Sequence, residues 1–245
     1  MNTATLEKMR RMKLFGMLRT FKTSIESGKN ENATSDEMIS NLIESEWDDR
    51  QNRSIARQLT NAHFRYKASI EEINYNSDRG IDRNQVMRLG ECSFIGKHEN
   101  ILITGSTGTG KSYLASAIGH QACGLGQRVL YQNTAKLMAK LKIAKADGSY
   151  IKEVAKIERQ SLLILDDFGI HPLDAQGRAM LMEIIEDRHG KGSIIVTSQV
   201  PVSKWYEIIG EKTVADAILD RIVHQSHRIE LKGESMRKKR LAAAA

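Results

Sequence analysis

The sequence predicts an α/β fold in which a mostly parallel five-stranded sheet is flanked by helices and preceded by a small helical N-terminal domain. Three observations carry that expectation. From Asn100 onward, short runs rich in β-branched residues alternate with stretches long enough for crossover helices, the pattern of parallel strands buried on both faces. Up to about residue 67 the periodicity is helical. A glycine-rich turn, "GSTGTGKS", joins the first of the runs to the first of the helices.

In chain order, Leu6, Met9, Leu14, Met17, Leu18, Phe21 and Ile25 recur at helical spacing, with Arg10, Arg11, Lys13, Arg19 and Lys22 between them. This predicts one amphipathic basic helix, suited to cover a small helical domain or to meet a partner. "SGKNENATSDE" is a polar turn with a helix start near Thr34 or Ser35, and the charged helical pattern "MISNLIESEWDDRQNRSIARQLTNA" follows. Residues 1–67 are expected to form the helical domain and 68–99 a connector, with "NYNSDRGIDRNQ" as its clearest part. Strands are expected at 100–104, 128–132, 161–166, 193–198 and 227–231, within a domain spanning 100–240. The final "LAAAA", 241–245, is read as an appended tail outside the fold.

Composition excludes several classes. At 245 residues the chain can bury a substantial core. Its net charge of +7 suits an anionic partner such as nucleic acid, although a basic enzyme would carry it equally well. No stretch reaches the roughly 18 uncharged apolar residues of a membrane helix, and the N-terminus lacks an apolar signal core, so a cytoplasmic protein is expected. Cys92 and Cys123 stand far apart, outside any CxxC or Cys/His cluster, and are expected to be structural thiols.

"GSTGTGKS", Gly105 to Ser112, fits G-x-x-x-x-G-K-[ST], directly after the run "NILIT" and before the helix "SYLASAIGHQA". Gly105, Gly108 and Gly110 let the backbone curl until its N–H groups, including those of Ser106, Thr107 and Thr109, face phosphate oxygens. Lys111 is placed to contact the β- and γ-phosphates of ATP, and the Ser112 hydroxyl to hold Mg²⁺, with Tyr113 next along the helix. "LLILDDFG" then carries Asp166 to the carboxyl end of a buried strand, where ligands bind in open α/β sheets. Asp166 is expected to hold Mg²⁺ directly or through water. Asp167 either orients or deprotonates the attacking water or caps the turn before Phe168 and Gly169. Many such ATPases carry Glu there, so the shorter Asp fits slow turnover or an ATP-state switch.

No guanine-reading N-K-x-D follows, and no lid or acceptor pocket of a small-molecule kinase is apparent. "LLILDDFGIHPLD", "IIVTSQVP" and above all "AILDRIVHQSHRIELKGESMR" resemble IstB, the ATPase helper of insertion-sequence transposition, related to DnaC-type helicase loaders and DnaA initiators of the AAA+ superfamily. "ESEWDDRQNRSIARQLTNAHFRYKASIEEINY" resembles the N-terminal segment of the same family, so the likeness spans nearly the whole chain.

That resemblance implies an AAA+ ATPase that assembles on duplex DNA as a ring or helical oligomer and assists its cognate transposase. It also assigns residues. Arg221 in "ILDRI" matches the arginine that relatives insert into a neighbour's nucleotide site; the alternative is an ion pair with Asp216 or Asp220. Arg237 in "GESMR" matches a second phosphate sensor, or belongs to a cationic tail. Gln199 falls where relatives often have Asn, beside the γ-phosphate. Lys136, Lys140, Lys142 and Lys145 lie in a helical region that meets nucleic acid in related initiators and loaders; a solvated amphipathic face is the alternative. A DnaC-like helicase loader is the competing reading, and a metabolic P-loop kinase a third.

Overall fold

The computed structural model describes residues 2–27, 34–75 and 79–236. Arg237 and the 241–245 tail lie outside them. The chain forms two compact units, Met1–Arg57 and Gln58–Ala245.

The first unit holds α1 (Asn2–Arg11), α2 (Phe15–Ser27) and most of α3 (Ser35–Ala62). The single basic helix expected over 6–25 is broken. Lys13 adopts a left-handed φ of 58°, its N–H reaches Arg10 O at 3.0 Å, and Leu14 N–H reaches Met9 O at 2.9 Å. These two bonds close a helix C-terminus that periodicity alone does not reveal. The new helix start is then capped from α3, because the buried Glu46 carboxylate accepts from Gly16 N at 2.8 Å and Met17 N at 3.3 Å. A Cβ on Gly16 would fall 2.2 Å from Ser45 O, so only glycine allows this approach. Burial alone would raise the Glu46 pKa, but the bonds from Arg50, Met17 and Gly16 hold it below the usual carboxylate value. α3 starts where the polar turn suggests: Thr34 and Glu37 form a reciprocal capping box, with Thr34 N to Glu37 Oε2 at 2.8 Å and Glu37 N to Thr34 Oγ1 at 3.3 Å.

The second unit is a three-layer sandwich. Its sheet contains β1 (Asn100–Gly105), β2 (Val129–Asn133), β3 (Leu162–Phe168), β4 (Ser193–Ser198) and β5 (Ser226–Leu231), in the order β2-β3-β4-β1-β5 with every pairing parallel. Each expected strand is present, shifted by no more than a residue or two at its ends, as the β-branched runs bounded by polar turns imply. Alternation sorts the side chains. Ile101, Ile103, Ile164 and Ile195 face a core shared with α6 (Lys111–Gly124), while Leu102, Leu163, Leu165 and Val196 face the opposite core. α7 (Thr134–Asp147), α8 (Tyr150–Glu158), α9 (Ala175–Arg188), α10 (Trp205–Ile209) and α11 (Lys212–Val223) cover that second face.

The stretch read as a connector, 68–99, contributes to the first core. It contains α4 (Arg83–Gly90) and α5 (Ser93–Gly96), and it buries Ala68, Ile70, Ile73, Val86, Leu89, Phe94 and Ile95 against the α6 side. Its apolar residues are spread among polar ones, so no single periodicity announces them. Together with α6 they seal that face of the sheet from water.

Two features of the sheet position chemistry. β4 lies between β1 and β3, so its end separates the glycine-rich turn from the two aspartates. β3 also bulges: it advances from Leu165 to Phe168 while β4 advances from Val196 to Ser198. In a regular strand Asp166 and Asp167 would point to opposite faces. The bulge, with Asp167 at a φ of 57°, breaks that alternation.

Candidate active site: a nucleotide cavity at the carboxyl ends of the strands

A cavity of about 310 Å³ opens at the carboxyl ends of the strands, lined in part by Thr107, Gly108, Gly110, Lys111, Ser112, Tyr113, Asp167 and Gln199. The turn of residues 105–110 leads from β1 into α6, whose N-cap is Gly110. Thr109 Oγ1 donates to Ser106 O at 2.8 Å, and Lys111 Nζ donates to the same oxygen at 2.8 Å. The lysine ammonium is thus held over the turn and buried, with 5% of its surface exposed. The C-terminal segment backs the turn: Met236 N–H donates to Gly108 O at 2.9 Å, and Met236 also lines the cavity. A Cβ on Gly108 would lie 2.1 Å from Ser235 Oγ. Glycine is therefore required there for packing as well as for its φ of 84°.

Asp166 is fully buried and saturated with donors. Its Oδ1 accepts from Ser112 Oγ at 2.7 Å and Thr197 Oγ1 at 2.5 Å. Its Oδ2 accepts from the Tyr131 hydroxyl and lies 3.3 Å from Arg65 Nη1. A buried carboxylate without such partners would be costly. Burial raises the Tyr131 pKa, and the bond to Asp166 adds to the shift, so the phenol stays a donor.

Asp167 is held differently. Its backbone N–H donates to Thr197 Oγ1 at 3.1 Å, and its Oδ2 meets Arg65 Nη1 at 3.2 Å and Asn133 Nδ2 at 3.3 Å. The Asn133 amide is fixed from its other end, where Oδ1 accepts from Lys136 N at 3.2 Å as the α7 N-cap. Asp167 therefore faces the cavity rather than capping the turn after it. Gln199, one residue beyond β4, accepts from Thr107 Oγ1 at 2.6 Å, so the strand end touches the glycine-rich turn.

Ser112 and Asp166 offer two hard oxygen donors in contact, which suits Mg²⁺. No cluster of three or more His, Cys, Asp or Glu that could hold a metal occurs among the described residues. A cation here would take its remaining ligands from phosphate and water, as Mg²⁺ commonly does.

The sequence motifs do not reveal Tyr131, Thr197, Asn133, Arg65 or Arg79. The first three stand at or near strand ends, where a polar residue closing an apolar run is the available signal. Arg65 and Arg79 carry no such signal. Arg79, 8% exposed, donates to Thr109 O behind the turn, and its own carbonyl accepts from Lys232 N at 2.8 Å.

Arg221 lies elsewhere. On α11 its Nη2 pairs with Glu186 Oε2 of α9 at 2.7 Å and its Nη1 donates to Ala217 O at 2.9 Å. Neither Asp216 nor Asp220 is its partner. Asn100, the first residue of β1, donates to Arg221 O at 3.1 Å, which fixes Arg221 at the amino ends of the strands.

Three of the four candidate DNA lysines are engaged within the chain. Lys140 pairs with Glu153 at 2.6 Å, Lys142 with Asp174 at 2.5 Å, and Lys145 lies 5.0 Å from the Tyr150 ring centre. Lys136 is exposed and has no ion-pair partner among the described residues.

The profile of the IstB-like ATP-binding protein family matches residues 7–244. The chain belongs to that family. Among curated relatives, y4pL of Sinorhizobium fredii, named as an insertion sequence ATP-binding protein, is 46% identical over 234 residues, 96% of each chain. Solved structures share the AAA+ P-loop fold. DnaA from Aquifex aeolicus bound to AMPPCP superposes with a TM-score of 0.59 at 20% identity, over 74% of this chain and 56% of that one. The DnaC helicase loader gives 0.55 at 20% identity, over 68% of this chain and 98% of that one. At such identities the likeness concerns the fold. The IstB-like assignment rests on the family profile and the curated relatives. No helix among the described residues is long and apolar enough to cross a membrane.

Proposed function

We propose that this IstB-like chain hydrolyses ATP with Mg²⁺, assembles with further copies on duplex DNA, and assists its cognate transposase in target selection and strand transfer. The observation that carries the reading is the Ser112–Asp166 contact at the head of α6, with Lys111, Asp167 and Gln199 around one cavity. A bound nucleotide would draw the Lys111 ammonium from Ser106 O onto the β- and γ-phosphates, and the backbone N–H groups of 106–112 would receive the remaining oxygens. Ile73, Ile81, Asn74 and Tyr66 line the same cavity and would face the base and sugar. Ser112 and Asp166 would hold Mg²⁺, which would supply charge neutralisation on the phosphates when bound. Asp167 orients the attacking water and receives its proton, while the Gln199 amide steadies the γ-phosphate.

Arg221 acts on a second copy's site. β1 has six residues at about 3.3 Å each, so the amino ends of the strands stand ~17 Å from the carboxyl ends. An arginine side chain anchored at the amino end is too short to reach its own cavity. Inserted into a neighbour, it would stabilise charge on the transferring phosphoryl group, an effect of ~10³ or more in rate. Leaving Glu186 is cheap, because that partner is half exposed, at 53% of its side chain.

Lys136, Lys140, Lys142 and Lys145 would meet phosphate rather than base edges, giving sequence-tolerant, salt-dependent binding. Lys140 and Lys142 would exchange Glu153 and Asp174 for phosphate, both lysine side chains reaching solvent. The whole reading is tested by measuring assembly size with and without duplex DNA, in ATP and in ADP, for the wild type and Arg221→Ala. ATP with DNA should give the largest assembly, and Arg221→Ala should lose hydrolysis while still binding ATP. A wild type that stays monomeric under all four conditions contradicts the proposal. So does capture of a replicative helicase with no effect on strand transfer.

A further inference from the structure

Arg65 follows the end of α3 and bridges both carboxylates of the site through a single nitrogen, 3.3 Å from Asp166 Oδ2 and 3.2 Å from Asp167 Oδ2. Three observations make this more than a surface ion pair. First, the contact is selective: Ser112 and Thr197 take the Oδ1 of Asp166, whereas Arg65 takes the Oδ2. The side facing α6 is thereby left to the serine. Second, the bulge and the left-handed φ of Asp167 bring that carboxylate to Arg65, and such a conformation in a non-glycine residue persists only where its surroundings hold it. Third, the Asp167 oxygen contacted by Arg65 is the one contacted by the Asn133 amide.

We propose that Arg65 is a positioning residue that restrains the ATP site from within the same chain. While its guanidinium spans the two aspartates, Asp167 Oδ2 is occupied by a cation and an amide and is not available to a water molecule. The same positive charge stands beside the position where Ser112 and Asp166 would hold a divalent cation, and it weakens that cation's binding by repulsion. The Arg65 side chain is 43% exposed, so it can leave the carboxylates for solvent or phosphate. The inference deepens the ATPase reading and rests on the roles given above to Asp166 and Asp167.

The test uses the full chain with AMPPCP and follows Mn²⁺ binding by electron paramagnetic resonance, alongside DNA-free ATP turnover and the thermal midpoint. Arg65→Gln should bind Mn²⁺ on the order of 3- to 10-fold more tightly, as expected for removal of one nearby like charge, and turn over ATP faster than the wild type. Arg65→Lys, which keeps the charge, should stay within about twofold of wild-type Mn²⁺ affinity. Arg65→Ala repeats the reading should the glutamine variant fold poorly. A purely structural role would lower the thermal midpoint and weaken AMPPCP and Mn²⁺ together, which would overturn the inference. Unchanged Mn²⁺ affinity, or slower turnover in a well-folded Arg65→Gln, would overturn it as well. Asp167→Asn separates the two levels. If it keeps wild-type turnover, the assignment of Asp167 fails and the restraint on it fails too. If it is inactive while Arg65→Gln matches the wild type in both readouts, the restraint alone fails.

Discussion

Each end of the sheet buries a charged side chain, Asp166 at one and Arg188 at the other, and the two are partnered in opposite ways. At the carboxyl ends, Asp166 is satisfied almost entirely by side chains: Ser112, Thr197, Tyr131 and Arg65. At the amino ends, Arg188 is 2% exposed and donates only to main-chain carbonyls, to Ile157 O at 2.9 Å, Gln160 O at 3.0 Å, Ser161 O at 3.3 Å and Ser193 O at 2.8 Å. Asn100 behaves likewise, donating to Arg221 O and accepting from Ile194 N at 2.9 Å. Side-chain partners can rotate away when a ligand arrives; carbonyls of the fold cannot. Around Asp166 one end is therefore built to exchange partners, and around Arg188 the other is built to hold the strands in place.

This difference predicts which substitutions uncouple function from stability. The largest expected effect is at the exchanging end. Lys111→Ala should lower ATP affinity by on the order of 100-fold or more, in line with loss of a charge-assisted phosphate contact in a buried site. Its thermal midpoint should stay close to the wild type, because the Ser106 carbonyl it leaves is beside an open cavity. Titration with a fluorescent ATP analogue and a melting curve decide the matter, and a large fall in stability would place Lys111 with the holding groups.

Arg188→Ala should do the reverse. It strands several buried carbonyls and should cost on the order of 3 kcal/mol of stability, read by urea unfolding, with ATP affinity preserved in the folded fraction. Burial lowers the Arg188 pKa to about 10, and among the described residues it has no ion-pair partner. A folded-state value below the unfolded one means that stability is greater where the group is neutral. Relative to neutral pH, this group's contribution should therefore rise through alkaline pH, until the unfolded chain also loses its proton. A stability cost from Arg188 that grows above pH 10 would contradict the burial account.

The smallest expected effect is chemical. Cys92 and Cys123 are buried free thiols whose pKa values burial pushes up to about 11 and about 12. Neither should react with iodoacetamide at neutral pH in the native chain, and both should react after unfolding. Native labelling would mean that the core over α6 opens more readily than its packing implies.

The sequence was informative about these ends to different degrees. The strands and the glycine-rich turn are local patterns, so runs such as "SLLILD" locate them closely. The bulge at Asp166–Asp167 is not local: it depends on the register of β3 against β4, and with it go the facing of Asp167 and the Arg65 contact. The helix break at Lys13 escapes periodicity because the apolar spacing continues across it, and the cap on the second start comes from the distant Glu46 carboxylate on α3. The cover supplied by 68–99 is hidden for a similar reason, since its apolar residues pack individually from short turns and helices. The capping box at Thr34 and Glu37, by contrast, is legible from its spacing alone. The role proposed for Arg221 rests on resemblance, because no local rule distinguishes it from any other helix-flank arginine.

The claim that joins both ends is that each ATP site is completed by Arg221 from another copy, and mixing two defective variants tests it most directly. Lys111→Ala lacks the phosphate contact but keeps Arg221, whereas Arg221→Ala keeps the cavity but lacks the finger. Each alone should show almost no turnover on duplex DNA. Mixed in equal amounts they should recover a substantial fraction of wild-type turnover, as intact cavities meet intact fingers. A mixture that stays as inactive as its components, although the two variants co-assemble, would contradict the account.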